Sequence, residues 1–440
     1  MARIAIVGVG YVGLTTGACL AQSGHVVACV DVDHARIEGL RRGVVPIFEP
    51  GLTDIVADNQ RTGRLTFTTD FGEALADVEF VFIAVGTPMA DDGRSADLRF
   101  VHSAVRDIGR HLMAPAIVIN KSTSPIGTGC AISRILEEEN PRLSPWRVVS
   151  NPEFLREGCA VFDCLHPARI VLGGTDEPTL EAVAELYADL RCPVIKTDLN
   201  SAEMIKYASN AFLATRISFI NEVARICDAL DADVSTVAQG MGLDPRIGQE
   251  FLRAGLGYGG SCFPKDVAAL RAMAADAGLH PQLLMAVAEI NDDQRRWVVE
   301  RLERELGGIQ GKVVAIFGLS FKPETDDLRG APALDIASRL SALGAEIRVY
   351  DPVVRGRVGG AVVCSSVEST AESADAILLA TDWSEFRGVD WNKVRSVMRG
   401  RLVFDGRNLL DPEQVEAAGL KYVGVGRGGR RLGSPVGVTP

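Results

Sequence analysis

At 440 residues, 47% hydrophobic and 23% charged, the chain is long for one domain and rich enough for ample core, so two or three domains are expected. Its net charge of −11 (46 Lys and Arg against 57 Asp and Glu) comes without a basic block, which excludes a nucleic-acid footprint while leaving local cations free to bind an anionic substrate. No apolar window reaches the ~20 residues that span a bilayer, and MARIAIVGVG is not a cleavable leader, so no membrane partner and a cytoplasmic location are expected.

In chain order, Arg3–Gly8 reads as a short apolar strand, Tyr11–Gln22 as a helix of small residues ended by Gly24, and His25–Asp31 as a second strand. Further strands fit Glu79–Val85, Ala116–Asn120, Arg147–Ser150 and Arg169–Gly173. Apolar strands separated by helical patterns imply a parallel sheet covered on both faces. From Ser201 to Leu230, Ile205, Ala208, Phe212, Ile217, Ile220, Ala224, Cys227 and Leu230 recur at helical spacing, with Asn200 or Ser201 as cap and Glu203 in the first turn. A helix of ~45 Å spans two domains or packs on a symmetry mate. The rest, to about Gly308, also reads as helical. From Lys312, VVAIFGLSF, AEIRVYD, ADAILLAT and RLVFDG supply four more strands. The expected class is α/β: two Rossmann-like parallel-sheet domains joined by a central helical domain with one long helix. Its divisions are 1–198, 199–308 and 309–424, followed by a tail, 425–440, with too few large apolar residues to pack.

GVGYVG follows the first strand and opens a helix. Gly8 permits the tight turn, Gly10 lets backbone approach a pyrophosphate, and Gly13 allows helix and strand to pack closely; Tyr11 and Val12 lie between them. The helix N-terminus offers free N–H groups to phosphates. Asp31 ends the next strand, where an acid takes a ribose 2′-hydroxyl and repels a 2′-phosphate, so the expected cofactor is NAD. The second α/β half opens IFGLSFKPETDD, without the glycine pattern and with Lys322 in the loop. It is either a nucleotide-binding frame adapted to another ligand or a structural cap.

The nine cysteines are odd in number and scattered, with no C-x-x-C. Reduced thiols are expected, with neither disulfides nor a metal site, and most as small core residues. Cys262 differs. It sits in GYGGSCFPKD, where glycines clear space around a thiol and Lys265 and Asp266 follow; Pro264 is expected to stop the next segment continuing as helix or strand. A thiolate there suits attack on a carbonyl. Lys206 and Asn210 share a face of the long helix and read equally as a surface pair or as a cleft pair that stabilises an oxyanion. In NPEFLREG, Asn151 and Pro152 resemble an N-cap and first helical residue. Glu153 and Glu157 then share one face of a short helix, either complementing its dipole or orienting water or ribose hydroxyls. KSTSP ends a strand at the ligand-binding edge of the sheet, with Thr123 placed to hydrogen-bond.

Together, GVGYVG, EPGL, GTP, KST, NPEFLREG, AEMIKYASNAF, DPRIG, GYGGSCFPKD, FKPETDDLR and DGRN resemble the UDP-glucose/GDP-mannose dehydrogenase family over nearly the whole chain. The resemblance implies a four-electron oxidation of a nucleotide sugar at C6 by two NAD+ in turn. Cys262 would attack the aldehyde, giving a thiohemiacetal and then a thioester that water hydrolyses. It further implies that Lys206 and Asn210 stabilise oxyanions, that Asp266, Thr123 and a water move protons, and that Glu153 serves hydrolysis. Thr87, Arg329, Glu157, Lys265 and Arg36 are implied near NAD. Glu153, Phe154, Leu155, Lys206, Asn210, Phe251, Leu252, Arg253, Ala254, Gly255, Tyr258, Gly259, Lys322 and Arg407 are implied at the substrate. Arg246 resembles an arginine reaching a neighbouring subunit, which implies a homodimer or larger homo-oligomer.

Arg36 stands where the family often has lysine, Ser124 where valine is usual, and Gly330 and Ala331 where Glu-Ser is usual. DPRIG and DGRN resemble the UDP-glucose branch rather than the GDP-mannose one. Ser261 stands where N-acetylated-sugar enzymes carry histidine. Competing readings are a GDP-mannose 6-dehydrogenase, a two-electron alcohol dehydrogenase, and a non-catalytic NAD or nucleotide-sugar sensor using Cys262 as a redox switch. The sensor reading leaves Lys206, Asn210, Lys265 and Asp266 without a purpose.

Overall fold

The structure, a computed structural model, describes residues 1–358 and 361–428. The chain divides into two compact units: Met1–Ser209 with Ala268–Leu279, and Asn210–Val267 with the chain from His280 onward. The boundary falls inside two continuous helices, Leu199–Ala229 and Phe263–Asp276.

The first unit is built on an eight-stranded sheet: β1 (Arg3–Val7), β2 (Val26–Val30), β3 (Leu65–Thr68), β4 (Phe80–Ile83), β5 (Ile117–Asn120), β6 (Arg147–Ser150), β7 (Ile170–Gly173) and β8 (Val194–Thr197). The order is β3-β2-β1-β4-β5-β6-β7-β8. The first six follow the doubly wound order, which reverses between β1 and β4 and opens a crevice at their carboxyl ends. All pairs are parallel except β6 with β7, which meet antiparallel at Ser150 and Gly173. β4 to β7 are buried along their length apart from Arg147, as a sheet covered on both faces requires. The helix Tyr11–Gln22 packs close because its inner residues are small: a Cβ on Gly17 would lie 2.8 Å from the Cys29 sulfur.

The second unit carries β9 (Val313–Phe317), β10 (Glu346–Tyr350), β11 (Arg357–Val358), β12 (Ala361–Val363), β13 (Ala376–Leu379), β14 (Leu402–Asp405) and β15 (Lys421–Gly424), in the order β11-β12-β10-β9-β13-β14-β15. Apart from the antiparallel edge strand β11, it repeats the doubly wound order, with its reversal between β9 and β13. Val425 is buried and Arg427 bridges to Asp233, so the chain stays packed past Gly424. The remainder of the expected tail, 429–440, lies outside the described residues.

The long helix begins two residues earlier than expected, and its cap is Asp198, whose carboxylate accepts from Ser201 N at 2.9 Å. Its apolar positions do not form one stripe. Ala211, Ala214, Ile220, Ala224 and Cys227 are buried, whereas Phe212, Phe219, Ile226 and Leu230 stand exposed. The cysteines also depart from expectation: only Cys19, Cys29 and Cys227 are buried, Cys130 and Cys159 are exposed, and none of the nine is joined in a disulfide.

Candidate active site

The glycine turn in the first unit separates what the fold requires from what a ligand requires. Gly8 has φ +96°, and its N–H reaches Val30 O at 2.9 Å. A Cβ on Gly13 would lie 1.9 Å from Gly8 O, whereas a Cβ on Gly10 would meet nothing within 4 Å. Gly10 is therefore not demanded by the protein's own packing, and its bareness suits close approach of a pyrophosphate to the helix N-terminus. Val12 packs against the core beneath. Asp31 accepts from Val9 N at 2.7 Å and Asp33 N at 3.0 Å. Arg36 stands 3.5 Å from Asp31 and 3.7 Å from Asp33. These residues fit NAD: a bare phosphate cradle, and a partly open carboxylate at the end of β2.

At the carboxyl ends of β4 and β5, the Thr87 hydroxyl donates to Thr123 O at 2.7 Å, tying the GTP loop to KSTSP. A small, partly open cleft is lined there by Asn120, Ser122, Thr123, Ser124, Ser150, Pro152, Glu203 and Lys206. Ser124, one of the departures from the family pattern, accepts from the Asn120 amide at 3.1 Å. Glu203 does not serve the start of its own helix. Its carboxylate accepts from Gly127 N and Gly129 N at 2.7 and 2.8 Å, at the N-terminus of the helix Thr128–Glu139, and burial raises its pKa above the usual carboxylate range.

NPEFLREG forms no helix; the helix starts only at Ala160. Asn151 cannot cap because its side chain is spent elsewhere. Its oxygen accepts from Lys121 Nζ at 3.1 Å and the Tyr187 hydroxyl at 2.6 Å, and its amide donates to Val171 O at 2.9 Å. Both dipole and shared-face readings of Glu153 and Glu157 fall with the helix. Glu153 instead pairs with Lys206 at 2.8 Å, both buried, and accepts from Leu155 N at 2.6 Å. Burial opposes its charge, but Lys206, Leu155 N–H and Lys121 outweigh that and hold its pKa below the usual range. Lys206 is thus a buried cation and not a surface lysine. Phe154 lies under the Arg169 guanidinium, 3.7 Å from ring centre to carbon.

In the second unit, Cys262 directly precedes the helix Phe263–Asp276, and its carbonyl accepts from Asp266 N at 2.8 Å. Pro264 therefore starts a helix, as proline does in a first turn, contrary to the expectation that it would prevent one. A helix N-terminus favours the thiolate. Asp266 is fully buried and accepts from the Asn210 amide at 2.6 Å and Lys265 Nζ at 2.9 Å. The glycines before Cys262 serve packing: a Cβ on Gly259 would lie 2.3 Å from Gly330 O. Gly330 itself has φ +59°, so the residue that departs from the family pattern is the one against which the cysteine loop rests.

Tyr258 is held at both backbone atoms by Asn291 and by Arg295 at its carbonyl. Leu252 and Ala254 are buried in the core, while Phe251 has φ +61° and Arg253 is exposed. Gly255 N bonds Asn221 at 2.8 Å. Arg407 donates to Ala380 O and Phe321 O, and burial lowers its pKa. Lys322 Nζ lies 5.7 Å from the Phe321 ring. Arg246 and Arg329 are exposed and each clasps a neighbouring aspartate, Asp244 and Asp327. Sequence reasoning assigned no role to Glu49, Lys121, Arg169 or Asn291, since nothing in a single sequence marks a polar residue as buried. EPGL was the one available signal for Glu49.

A doubly wound unit with a bare glycine turn and an acid after β2 defines an NAD-binding oxidoreductase. The family models for UDP-glucose/GDP-mannose dehydrogenase match as the NAD binding domain at 2–191, the central domain at 200–293 and the UDP binding domain at 315–412. The chain belongs to the UDP-glucose/GDP-mannose dehydrogenase family. It is 46% identical over 97% of its length to a UDP-glucose 6-dehydrogenase of Bacillus subtilis, covering 94% of that relative. It is 43% identical to a UDP-glucose 6-dehydrogenase of Rhizobium meliloti, covering 97% of this chain and 99% of that one. The UDP-glucose dehydrogenase structure from Pyrobaculum islandicum superposes with a TM-score of 0.89 at 38% identity, over 97% of this chain and 98% of that one. Among the described residues, no helix is long and apolar enough to cross a membrane.

Proposed function

We propose that the protein oxidises UDP-glucose at C6 to UDP-glucuronate, with two NAD+ used in turn and a covalent intermediate on Cys262. The observation that carries this reading is Cys262 at the start of its helix, one turn before an Asp266 buried between Asn210 and Lys265. NAD+, when bound, accepts the C6 hydride in each of the two oxidations. Asp266, with Thr123 and a water, takes the hydroxyl proton as the alcohol becomes an aldehyde. Cys262 Sγ then adds to the aldehyde carbon, and the carbonyl electron pair moves to oxygen, where Lys206 and Asn210 hold the oxyanion. The resulting thiohemiacetal restores an oxidisable C–H and O–H, which the bare aldehyde lacks. Its oxidation leaves a thioester. Water adds to that carbon, with Glu153 held ionised to take its proton, and the C–S bond breaks to return the thiol and release uronate.

UDP-glucose is favoured because relatives above 40% identity carry that substrate in their names and Ser261 follows the glycines. The division into a cofactor part, a helical middle and a nucleotide-sugar part is kept, with Phe251–Gly255, Tyr258, Lys322 and Arg407 as sugar-nucleotide contacts in the second unit. A homodimer is part of the reading, supported by Phe212, Phe219 and Ile226 exposed every seven residues along the long helix. Nine cysteines, none of them in a disulfide, suit a reducing, cytoplasmic setting.

The test is NADH formed per mole of limiting UDP-glucose, run beside GDP-mannose with NAD+ in excess. Two NADH from UDP-glucose alone are expected. One NADH leaves Cys262 without its role, and two from GDP-mannose alone overturn the substrate. Cys262→Ser is expected to bind both ligands and release no uronate; full turnover by that variant rules out the thioester.

A further inference from the structure

Glu49 is buried, at 6% exposure, and no step above uses it. Its Oε1 accepts from Ala160 N at 2.7 Å and Val161 N at 3.3 Å. Its Oε2 accepts from Gly158 N at 2.7 Å and from the Tyr11 hydroxyl. Four donors fill the capacity of one carboxylate, so Glu49 has nothing left for a ligand. Gly158 N also meets the Tyr11 oxygen at 3.0 Å. Burial, followed by Glu49, pushes the Tyr11 pKa well above the ordinary phenol range, with Glu157 adding its charge nearby. Tyr11 therefore stays protonated and donates.

Tyr11 opens the helix after the glycine turn, and Gly158 directly follows Glu157. We infer that Glu49 is a positioning residue of the cofactor site, a clamp that fixes the Glu157 end of the NPEFLREG loop onto the first turn of the cofactor helix. The other end of that loop is anchored separately, by Asn151 on Lys121 and Tyr187 and by Glu153 on Lys206. Releasing Glu49 therefore loosens the cofactor end while the Glu153–Leu155 segment keeps its own ties. This rests on the proposed function for the assignment of the two loop ends, but the clamp makes a prediction about NAD handling alone.

The experiment is NADH fluorescence titration of the full-length protein and its Glu49→Gln, Tyr11→Phe and double variants, with Michaelis constants for NAD+ and UDP-glucose alongside. Glu49→Gln keeps the shape and replaces one acceptor by a donor. NADH binding is expected to weaken about tenfold, as loss of a charge-assisted contact does, with the KM for NAD+ rising in step and that for UDP-glucose within about twofold. Tyr11→Phe leaves the three backbone contacts of Glu49 intact, so it tests the link even where Glu49→Gln fails to fold; about threefold weaker NADH binding is expected. The double variant is expected to bind no worse than Glu49→Gln alone, because Tyr11 acts through Glu49. Unchanged NADH binding in both single variants overturns the clamp. So do equal rises in the two Michaelis constants, or additive losses in the double variant. If the wild type does not oxidise UDP-glucose, the substrate reading fails while the NADH titration still decides the clamp.

Discussion

The two sheets open with the same turn and use it for different ends. Gly8 and Gly318 both follow a central strand with positive φ, +96° and +88°, and each donates to the end of the neighbouring strand, at Val30 O and Tyr350 O. The next residue in each case gives its N–H to an aspartate, Val9 to Asp31 and Leu319 to Asp351, both at 2.7 Å. Beyond that the turns diverge. In the first, the helix begins at once, at Tyr11, presenting its N-terminus. In the second, the chain wanders to Pro332 before a helix forms. Asp31 takes two backbone N–H groups and the Arg36 guanidinium and is only partly buried. Asp351 is fully buried and takes Leu319 N, Ser320 N, Val353 N, Val354 N and the Trp383 indole. One shared frame thus holds an aspartate with part of its carboxylate unused by its own turn and another consumed by its own loop.

The comparison is broken most forcefully at Asp351. Asp351→Ala strands several buried donors at ~1–3 kcal/mol each, and a loss of about 4 kcal/mol is expected, read by denaturant unfolding. NAD affinity of the folded fraction is expected to be unchanged. A loss below about 1 kcal/mol would mean that Asp351 is not the keystone of its loop.

A pair of glycine substitutions sharpens the contrast next. A Cβ on Gly318 would lie 2.4 Å from the Thr381 Cβ, in a backbone region that L side chains avoid. Gly318→Ala is therefore expected to cost about 2 kcal/mol of stability. Gly10 has ordinary φ, −78°, and open space around it. Gly10→Ala is expected to leave unfolding within about 0.5 kcal/mol yet weaken NAD about tenfold, ~1.4 kcal/mol, by crowding the pyrophosphate. An unchanged Kd for NAD would remove Gly10 from the cradle.

The same contrast shows what the sequence could and could not reveal. Strands β1, β2, β4 to β7, β9, β10, β13 and β14 were legible as apolar runs, but β3, β8, β11, β12 and β15 were not. LTFT, VIKT and KYVG are short and partly polar, and they become strands only because a neighbour supplies the ladder. The Asn151–Pro152 opening suggested a helix at NPEFLREG, but the Asn151 oxygen instead accepts a long-range bond from Lys121. The Cys262 loop was found by motif; the buried partnerships of Glu153 with Lys206 and Asp266 with Asn210 needed three dimensions. The repeat of the Gly–Asp turn at Gly318 and Asp351 was hidden because the second copy lacks the glycine pattern that announces the first.

The smallest expected effect is also the one that tests the ligand role of the first aspartate. Asp31 uses two of about four lone-pair positions on backbone N–H groups, leaving an edge for a ribose diol. Arg36 waits 3.5 Å away, also facing Asp33. Asp31→Ala removes the acceptor and its repulsion of a 2′-phosphate, and it frees the Arg36 guanidinium to meet that phosphate instead. The NAD over NADP preference, as a ratio of kcat/KM, is expected to fall about fivefold, ~1 kcal/mol. Because Arg36 supplies the new attraction, adding Arg36→Ala should weaken NADP again without restoring NAD. A preference that stays put in Asp31→Ala would mean the first aspartate, like Asp351, serves only its own turn, and the distinction between the two halves would then rest on Gly10 and the early helix alone.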